Sequence, residues 1–540
     1  MKPNMFVGEW CKVIFWRSGA AVLAMLFVAF GAVSAHAQTA KNPETAKCEA
    51  IKKFDFSHVE DAPMQVLDAS LVPAEAAAAY CRVEGYVVPH VGFEIRLPVA
   101  NWNGKFLHYG CGAACGGLYT YKCDDPIRRG YACIVGDMGH RSRSWDGRWS
   151  YNNLQAEFDF GIRASHVTTL AGKAITGAYY ARPIARSYFS GCSNGGLEAM
   201  TAAQRFPWDF DGIIAGAPGI SETNYYMYML WNVRHLLKKD GKPIVSAADL
   251  RFVHQSVVNA CDMDDGLKDG IIGDPSRCAF RPSQLVCRPG RSSSCLSAEQ
   301  AAAVQKVYDG PTTSDGKGIA PGGAPLGSEL TWNNFISDDP DEVVSYSPER
   351  VADMFRYRAF VPDPGPSWNL DDFDFDHDYK RLGMMEALYL GTNPDLRKFK
   401  AAGGKLLVYQ GWWDPLSLPA ETIDYMETVE RTMGGSAQTM DFARLFMVPG
   451  MDHCSGGAGA FAIDYLGYLD AWVDKGVAPD VLMGAHVEPD ASGKVKLAFP
   501  LGADQKVTIH RPIFPYPLRA KYVGRGDPSD AKNWKAVAPK

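Results

Sequence analysis

One short segment constrains the fold of this chain more than any other: residues 191–195 read Gly-Cys-Ser-Asn-Gly. An apolar stretch at 188–190 precedes the segment, and a helical pattern at 197–205 follows it. Gly-x-Ser-x-Gly between a strand and a helix is typical of the sharp turn that presents a serine nucleophile in α/β-hydrolases. A chance match is the alternative for the five residues alone. The strand and the helix on the correct sides favour a nucleophile at Ser193.

Other short apolar stretches closed by glycine or proline predict the rest of the sheet. They lie at residues 106–109, 131–135, 213–217, 405–410 and 445–448. Such stretches alternating with helices indicate a mainly parallel sheet flanked by helices.

The alternation is interrupted in the middle of the chain. Residues 220–400 are richer in Pro, Asp, Gly, Ser, Trp and Tyr. We therefore predict an α/β-hydrolase catalytic domain in two pieces, 38–219 and 401–540, with an inserted lid domain at 220–400. The length of 540 residues suits this organisation. The lid is expected over the carboxyl ends of the strands, where α/β sheets bind ligands.

The N-terminus resembles a signal peptide, residues 1–37. Lys2, Lys12 and Arg17 are followed by an apolar run at 19–33 and an Ala-His-Ala segment that ends at Ala37. The run is shorter than the ~20 residues of a membrane span, which favours cleavage near Ala37-Gln38 and export over an anchor. The formal net charge of −6 argues against nucleic acid or anionic membrane as a partner. The oligomeric state stays open.

The cysteine content agrees with export. The chain has 13 cysteines, and removal of Cys11 with the signal leaves an even number. An even number in an exported protein predicts disulfides, and the spacing does not suit zinc. Counting alone does not give the pairing.

The order of residues in α/β-hydrolases places the acid and the histidine after the serine. Asp414 follows the strand predicted at 405–410, and His453 follows the one at 445–448. The alternatives are an aspartate that caps a turn and a histidine in a surface loop. We expect His453 to take the proton of Ser193 and Asp414 to orient the imidazole. Asp452 is a poor orienting partner because sequence neighbours cannot easily reach Nδ1.

A tetrahedral oxyanion needs two backbone N–H donors. One is expected from Asn194, the residue after the nucleophile, and the other from the loop after an early strand. Within that loop, residues 110–112, we favour Gly112.

Two cysteines flank the predicted triad. Cys192 precedes Ser193 and Cys454 follows His453. If the serine and the histidine meet, these cysteines are also brought close. A disulfide between them would tie the two loops together.

At these residues the sequence resembles the tannase and feruloyl esterase family, which also contains mono(2-hydroxyethyl) terephthalate hydrolase. The family carries the same Cys-Ser, Asp and His-Cys arrangement, and residues 110–112 and 216–218 resemble its landmarks. The resemblance spans most of the mature chain. It implies a lidded α/β-hydrolase that cleaves esters of aromatic acids without an organic cofactor.

Further disulfides are expected at Cys48–Cys81, Cys261–Cys278 and Cys287–Cys295. The chain departs from the family in two respects. Phe514 stands where a C-terminal cysteine is expected, and four cysteines are additional and left unpaired here: Cys111, Cys115, Cys123 and Cys133.

An acidic loop at 262–271 resembles the calcium loop in the family's lid. It does not have the spacing of an EF-hand. Carried over by resemblance, the ligands are the side chains of Asp262, Asp265 and Asp269 and the carbonyl groups of Leu267 and Ile271. Oxygen ligands of this kind suit structural Ca²⁺. The alternative is a solvated acidic turn.

The leading hypothesis is therefore an exported serine esterase acting on small esters of aromatic acids, of the feruloyl, galloyl or terephthalate half-ester type. The alternatives are an esterase of aliphatic ester oligomers and a catalytically silent binding protein. A few lid aromatic residues should form a slot for a planar acyl group, padded by Met227 or Met229. A lid arginine, Arg350, Arg356 or Arg358, is a candidate partner for a substrate carboxylate, and the sequence does not choose among them.

Overall fold

The computed structural model describes residues 42–539, except for 75–77, 144, 291–293, 340–343 and 496. The predicted signal segment, residues 1–37, lies outside the described residues. The strands are β1 (Met64–Val72), β2 (Tyr80–Val87), β3 (Val91–Pro98), β4 (Lys105–Tyr109), β5 (Ala132–Gly136), β6 (Arg186–Cys192), β7 (Gly212–Gly216), β8 (Lys405–Gly411), β9 (Ala443–Val448), β10 (Leu482–Val487), β11 (Val507–Ile513), β12 (Arg519–Tyr522) and β13 (Trp534–Val537).

The α-helices surround this framework. They are α1 (Pro43–Ala50), α2 (Asp124–Arg128), α3 (Leu154–Phe158), α4 (Ala164–Tyr180), α5 (Asn194–Arg205), α6 (Glu222–Leu236), α7 (Ala247–Cys261), α8 (Ala298–Asp309), α9 (Pro348–Tyr357), α10 (Gly383–Tyr389), α11 (Arg397–Ala401), α12 (Pro419–Met433), α13 (Ser436–Met440) and α14 (Tyr465–Lys475). Among the described residues, no helix has both the length and the apolar composition needed to cross a bilayer.

The central sheet has the strand order β1-β2-β3-β5-β4-β6-β7-β8-β9. From β5 to β9 in that order, neighbouring strands are parallel, while β1, β2 and β3 add an antiparallel extension. The predicted fold class, a mainly parallel sheet flanked by helices, is confirmed. Each strand predicted from the sequence belongs to this sheet.

Side chains from alternating positions of the parallel strands fill two apolar layers, one on each face of the sheet. Phe106 and Phe189 belong to one layer, while their neighbours Leu107 and Tyr188 belong to the other. A strand presents successive side chains to opposite faces, so burial of both faces requires continuous apolar runs. This requirement explains why these strands were visible in the sequence.

The interruption of the alternation lies between two neighbouring strands, because β7 pairs directly with β8. The described part of residues 217–404 adds no strand to the central sheet and contributes helices α6 to α11. Within this set, α6 packs against α8, α9 and α10. The chain from Pro43 to Lys540 forms one unit by its contacts. The exact bounds of the lid domain stay a prediction.

Candidate active site

Ser193 lies in the turn between β6 and α5, with φ 65° and ψ −122°. Positive φ at a non-glycine residue is strained by about 1–3 kcal/mol and persists only where the surrounding structure imposes it. Packing imposes it here. A Cβ atom on Gly191 would lie 2.3 Å from the Gly195 carbonyl oxygen, and one on Gly195 would lie 2.7 Å from that of Cys111. The glycines of the motif therefore permit the close approach that fixes the turn.

Asp414 and His453 are brought together from the loops after β8 and β9. The Nδ1 atom of His453 lies 2.9 Å from Oδ2 of Asp414, whose side chain is fully buried. A carboxylate can only accept, so Nδ1 carries the proton and donates it in this hydrogen bond. The bond leaves Nε2 of His453 as the proton acceptor.

Asp452 does not share this role. The structure places its neighbour His453 against Asp414 instead. Burial raises the pKa of Asp452 to about 7, and the negative charge of Asp414 adds to the rise.

A disulfide joins Cys192 to Cys454, with the two Cα atoms 5.9 Å apart and 262 residues between them in sequence. It connects the end of β6, next to Ser193, to the loop that carries His453. The two loops of the candidate triad are therefore covalently tied.

Six disulfides are present among the described residues. Four are the pairs expected from the sequence: Cys192–Cys454, Cys48–Cys81, Cys261–Cys278 and Cys287–Cys295. The other two use the cysteines left unpaired above: Cys111–Cys115 and Cys123–Cys133.

The candidate oxyanion donors lie on two neighbouring segments. Asn194 is the first residue of α5, where unpaired N–H groups and the helix dipole favour negative charge. Gly112 lies in the loop after β4, which is held to α5 by a bond of 3.0 Å from the Gly195 N–H to the Cys111 carbonyl. Within the described part of the chain, the Gly112 N–H has no acceptor.

A small cavity of about 20 Å³ adjoins the serine. Its wall combines the candidate nucleophile with residues of the core and of the lid. The lining residues are Ala113, Ala114, Trp145, Ser193, Asn194, Gly219, Glu222, Tyr225, Met354, Arg358 and Ser417. Of the lid aromatic side chains, Tyr225 reaches this cavity. Sequence reasoning missed Trp145, which comes from a core loop far from the lid in sequence.

The structure distinguishes among the three arginines that the sequence analysis proposed as partners for a substrate carboxylate. Arg356 pairs with Glu349 and Asp353, and Arg350 donates to two backbone carbonyl groups. Arg358 lines the cavity beside Ser193, and its buried Nε has no hydrogen-bond partner among the described residues.

Glu222 lies in the wall of the same cavity as Arg358. Burial raises the pKa of Glu222, and the guanidinium of Arg358 opposes the rise. The cavity therefore combines an apolar wall with one acidic and one basic group.

A larger cavity of about 530 Å³ lies between the acidic loop, α12 and the C-terminal strands. The residues that line it do not include Ser193, Asp414 or His453. Of these three residues, Ser193 lines the smaller cavity, which is therefore the candidate substrate site.

The acidic loop at 262–271 has the donors of a cation site. Asp262 and Asp265 are buried, and Asp269 pairs with Arg511. Burial raises the pKa of Asp265 to about 7, and the charges of Asp269 and Asp262 contribute to the rise. One guanidinium does not balance three clustered carboxylates, and a hard cation bound by oxygen ligands would do so. The residue types present therefore suit Ca²⁺, but in this structure the oxygens of the three carboxylates do not all lie within 4.8 Å of one another.

Comparisons with known proteins agree with this geometry. The family described as "Tannase and feruloyl esterase" matches residues 75–537. An uncharacterized esterase of Xanthomonas campestris is 31% identical over 96% of this chain and 95% of its own. The mono(2-hydroxyethyl) terephthalate hydrolase of Piscinibacter sakaiensis is 30% identical over 92% of each chain. The crystal structure of feruloyl esterase B from Aspergillus oryzae superimposes with a TM-score of 0.79 at 27% identity, covering 92% of this chain and 100% of that one. The chain therefore belongs to the tannase and feruloyl esterase family of carboxylic ester hydrolases.

Proposed function

We propose that this protein is an exported serine esterase that cleaves esters of aromatic carboxylic acids through an acyl-enzyme on Ser193. The observation that carries the proposal is the hydrogen bond of 2.9 Å between His453 and the buried Asp414. The Cys192–Cys454 disulfide joins the loop of this histidine to the strained turn that holds Ser193. A strained serine turn, tied by a disulfide to the loop of an oriented histidine, suits the activation of a hydroxyl for acyl transfer.

The reaction takes place in two halves. In the first, Nε2 of His453 takes the proton of the Ser193 hydroxyl as Oγ attacks the acyl carbon, and the protonated imidazole then gives that proton to the leaving alcohol. In the second, His453 takes a proton from water as the water oxygen attacks the acyl carbon. The bond from that carbon to Oγ then breaks, the imidazolium returns the proton to Oγ, and the acid leaves. Asp414 stays ionised and stabilises the imidazolium in both halves.

The backbone N–H groups of Asn194 and Gly112 are the proposed oxyanion donors. They act on charge that develops only in the transition state, which is why fixed donors accelerate the chemical step. The position of Asn194 at the start of α5 supports its part in the proposal.

The cavity beside Ser193, at about 20 Å³, has room for a water molecule. The acyl group would enter there as the surrounding side chains move apart. Trp145, Tyr225 and Met354 give its wall flat and adaptable apolar surfaces, which suit a planar ring. Arg358 and Glu222 would meet a polar substituent on that ring. The names of the relatives, a feruloyl esterase and a terephthalate half-ester hydrolase, support an aromatic acyl group.

We also propose one structural Ca²⁺ in the acidic loop. The side chains of Asp262, Asp265 and Asp269 and the carbonyl groups of Leu267 and Ile271 would hold it. The ion would neutralise the loop and brace the lid, and no catalytic step passes through it.

The test is a panel of esters with matched alcohols and different acids: gallate, ferulate, a terephthalate half-ester and short aliphatic acids. The proposal expects the highest kcat/KM for an aromatic acid, and labelling of Ser193 by an organophosphonate. Preference for butyrate over every aromatic ester would replace the substrate class with aliphatic esters. Absence of both turnover and labelling would favour a silent binding protein.

A further inference from the structure

The loop after β4 is closed by a disulfide between residues only four apart in sequence, Cys111 and Cys115. We call residues 110–116 the oxyanion loop. Two of its non-glycine residues, Ala113 and Cys115, have positive φ angles of 52° and 58°. Such conformations are strained for residues with a Cβ atom, and they persist only where other interactions impose them. The disulfide is one such constraint.

The closed loop faces the nucleophile. Ala113 and Ala114, which lie inside the ring, line the cavity beside Ser193 and Asn194. The Nδ2 atom of Asn194 lies 3.1 Å from the Sγ atom of Cys115. The disulfide therefore packs on the residue whose N–H is a proposed oxyanion donor.

Polar contacts fasten the base of the loop to helix α5. The N–H of Cys111 donates to Oε1 of Glu198 at 3.0 Å, and its carbonyl accepts from the N–H of Gly195 at 3.0 Å. Glu198 is buried and also accepts from Ser165. Glu198 and Gly195 belong to the helix that begins at Asn194, so loop and helix form one assembly.

The tip of the loop has its own supports. The Nε2 atom of His140 lies 2.9 Å from the Ala114 carbonyl, to which it can only donate. The hydroxyl of Tyr119 donates to the Gly112 carbonyl at 3.2 Å. These contacts hold the peptides that follow Gly112 and Ala114. The Gly112 N–H shares its peptide plane with the Cys111 carbonyl, so the bond from the Gly195 N–H to that carbonyl sets the direction of the Gly112 N–H.

Global stability is a poor explanation for this disulfide. In the loop-entropy model, a cross-link over four residues stabilises the folded state by about 2 kcal/mol, against about 5.6 kcal/mol for one over 262. Cys111–Cys115 therefore contributes little by restricting the unfolded chain, compared with Cys192–Cys454.

A metal site does not explain the Cys111–Cys115 pair either. Cys111, Cys115 and Glu198 have possible ligand atoms within 4.8 Å of one another, but the disulfide uses both sulfur atoms.

We propose that the Cys111–Cys115 disulfide is a positioning element of the active site: it holds the oxyanion loop so that the loop's N–H donor and that of Asn194 converge on one point. The inference rests on the proposed esterase function. Oxyanion donors must be placed to within a fraction of an ångström, and a displacement of about 1 Å can reduce the rate 100-fold. Because the donors act on the transition state, a loosened loop lowers kcat and leaves KM nearly unchanged.

The test compares two double variants. One is Cys111→Ala with Cys115→Ala. The matched control is Cys287→Ala with Cys295→Ala, which removes the other short disulfide, one that closes eight residues in the lid. The first is expected to lower kcat about 10- to 100-fold with KM within about threefold. The control should keep kcat within about twofold of wild type, because it lies outside the oxyanion assembly.

A second readout separates positioning from general loosening. Affinity for a boronic acid, which forms a tetrahedral adduct with an active serine, should fall in parallel with kcat. Affinity for the product carboxylate should not change. Unchanged kcat in the Cys111/Cys115 variant would overturn the proposal, and so would equal losses for boronate and product. A wild-type enzyme with no turnover and no phosphonate labelling would instead refute the esterase function itself.

Wild-type protein provides a measurement that needs no variant to fold. During stepwise reduction with a phosphine, differential alkylation and mass spectrometry report the thiol content of each pair. The proposal expects kcat to fall with the opening of Cys111–Cys115 and to recover when that pair reoxidises. Activity that follows the opening of Cys192–Cys454 alone would contradict it.

Discussion

Replacing Asp414 by asparagine perturbs the proposed triad at its fully buried residue. The carboxylate accepts four hydrogen bonds. Oδ1 receives the N–H groups of Leu416 and Ser417 at 2.8 and 3.0 Å. Oδ2 receives Gln410 and His453 at 2.9 Å each. All four neighbours donate in this arrangement, so a side-chain NH₂ group would find an acceptor only if His453 changed its tautomer.

The surroundings cannot adapt by turning the neighbouring amide. Gln410 accepts from the hydroxyl of Thr422 at 3.0 Å and donates to the carbonyl of Ser417 at 2.9 Å, which fixes its orientation. The new NH₂ group faces either two backbone N–H groups or the pair formed by Gln410 and His453. In the second case the NH₂ group donates to Nδ1 of His453, and the imidazole proton moves to Nε2. A proton on Nε2 prevents that atom from accepting the proton of the Ser193 hydroxyl.

We therefore expect Asp414→Asn to lower kcat by about 10⁴, which corresponds to about 5.4 kcal/mol of transition-state stabilisation. The buried clash of donors should also reduce the free energy of unfolding by about 1–3 kcal/mol. Initial rates on a chromogenic aromatic ester and urea unfolding curves measure the two effects separately. Circular dichroism at the assay temperature confirms that the variant is folded.

Asp452→Asn is the matched control, because the same chemical change is made beside the same histidine. Its carboxyl does not orient His453, so kcat should stay within about tenfold of wild type. The reasoning is refuted if Asp414→Asn keeps more than about a tenth of the wild-type kcat, or if Asp452→Asn loses as much as Asp414→Asn.

Three further outcomes are expected. Ser193→Ala should abolish ester turnover and phosphonate labelling at an unchanged melting temperature; residual turnover of about a tenth would place the nucleophile elsewhere. Chelation should lower the melting temperature more than it lowers kcat/KM, since an ion at 100 times its Kd stabilises the folded state by about 2.7 kcal/mol; protein purified without chelator that contains no calcium would refute the site. Burial raises the pKa of Glu198 from 4.5 to about 7, so wild type should lose stability relative to Glu198→Gln as pH rises from 4.5 through 7, by on the order of 3 kcal/mol. A melting-temperature difference between the two proteins that does not change with pH would contradict that burial effect.

The parallel part of the sheet was predictable because its strands are buried on both faces. A strand such as β7 then consists of continuous apolar residues closed by glycine, and this pattern is readable in the sequence. The antiparallel extension was missed for the opposite reason. Strand β1 has two buried residues, Met64 and Ala69, with polar residues among the others, and β2 is buried at every second residue. Their place is set by pairing with β3, which depends on the fold as a whole.

The candidate triad was predictable because chain order in this fold restricts the acid and the histidine to the loops after particular strands. The cavity wall was not. Trp145 and Arg358 are separated by more than two hundred residues in sequence and come together in the wall of this cavity only in the folded chain. The pairing of Cys111 with Cys115 was equally hidden, because a count of cysteines allows several connectivities.

The disulfides also connect the compartment of the protein to its chemistry. Cys192–Cys454 closes 262 residues, so its reduction would remove a large constraint on the unfolded chain as well as the tie between Ser193 and His453. Cys111–Cys115 closes four, so its reduction would alter the oxyanion loop with a smaller effect on unfolding, about 2 kcal/mol. Both pairs adjoin the serine turn, one through the residue before it and one through the side chain of Asn194 after it. In a reducing cytoplasm both disulfides would be lost, so the triad loops and the oxyanion loop would not be held in place even if the chain folded. The need for these disulfides supports the proposal that the protein works after export to an oxidising compartment.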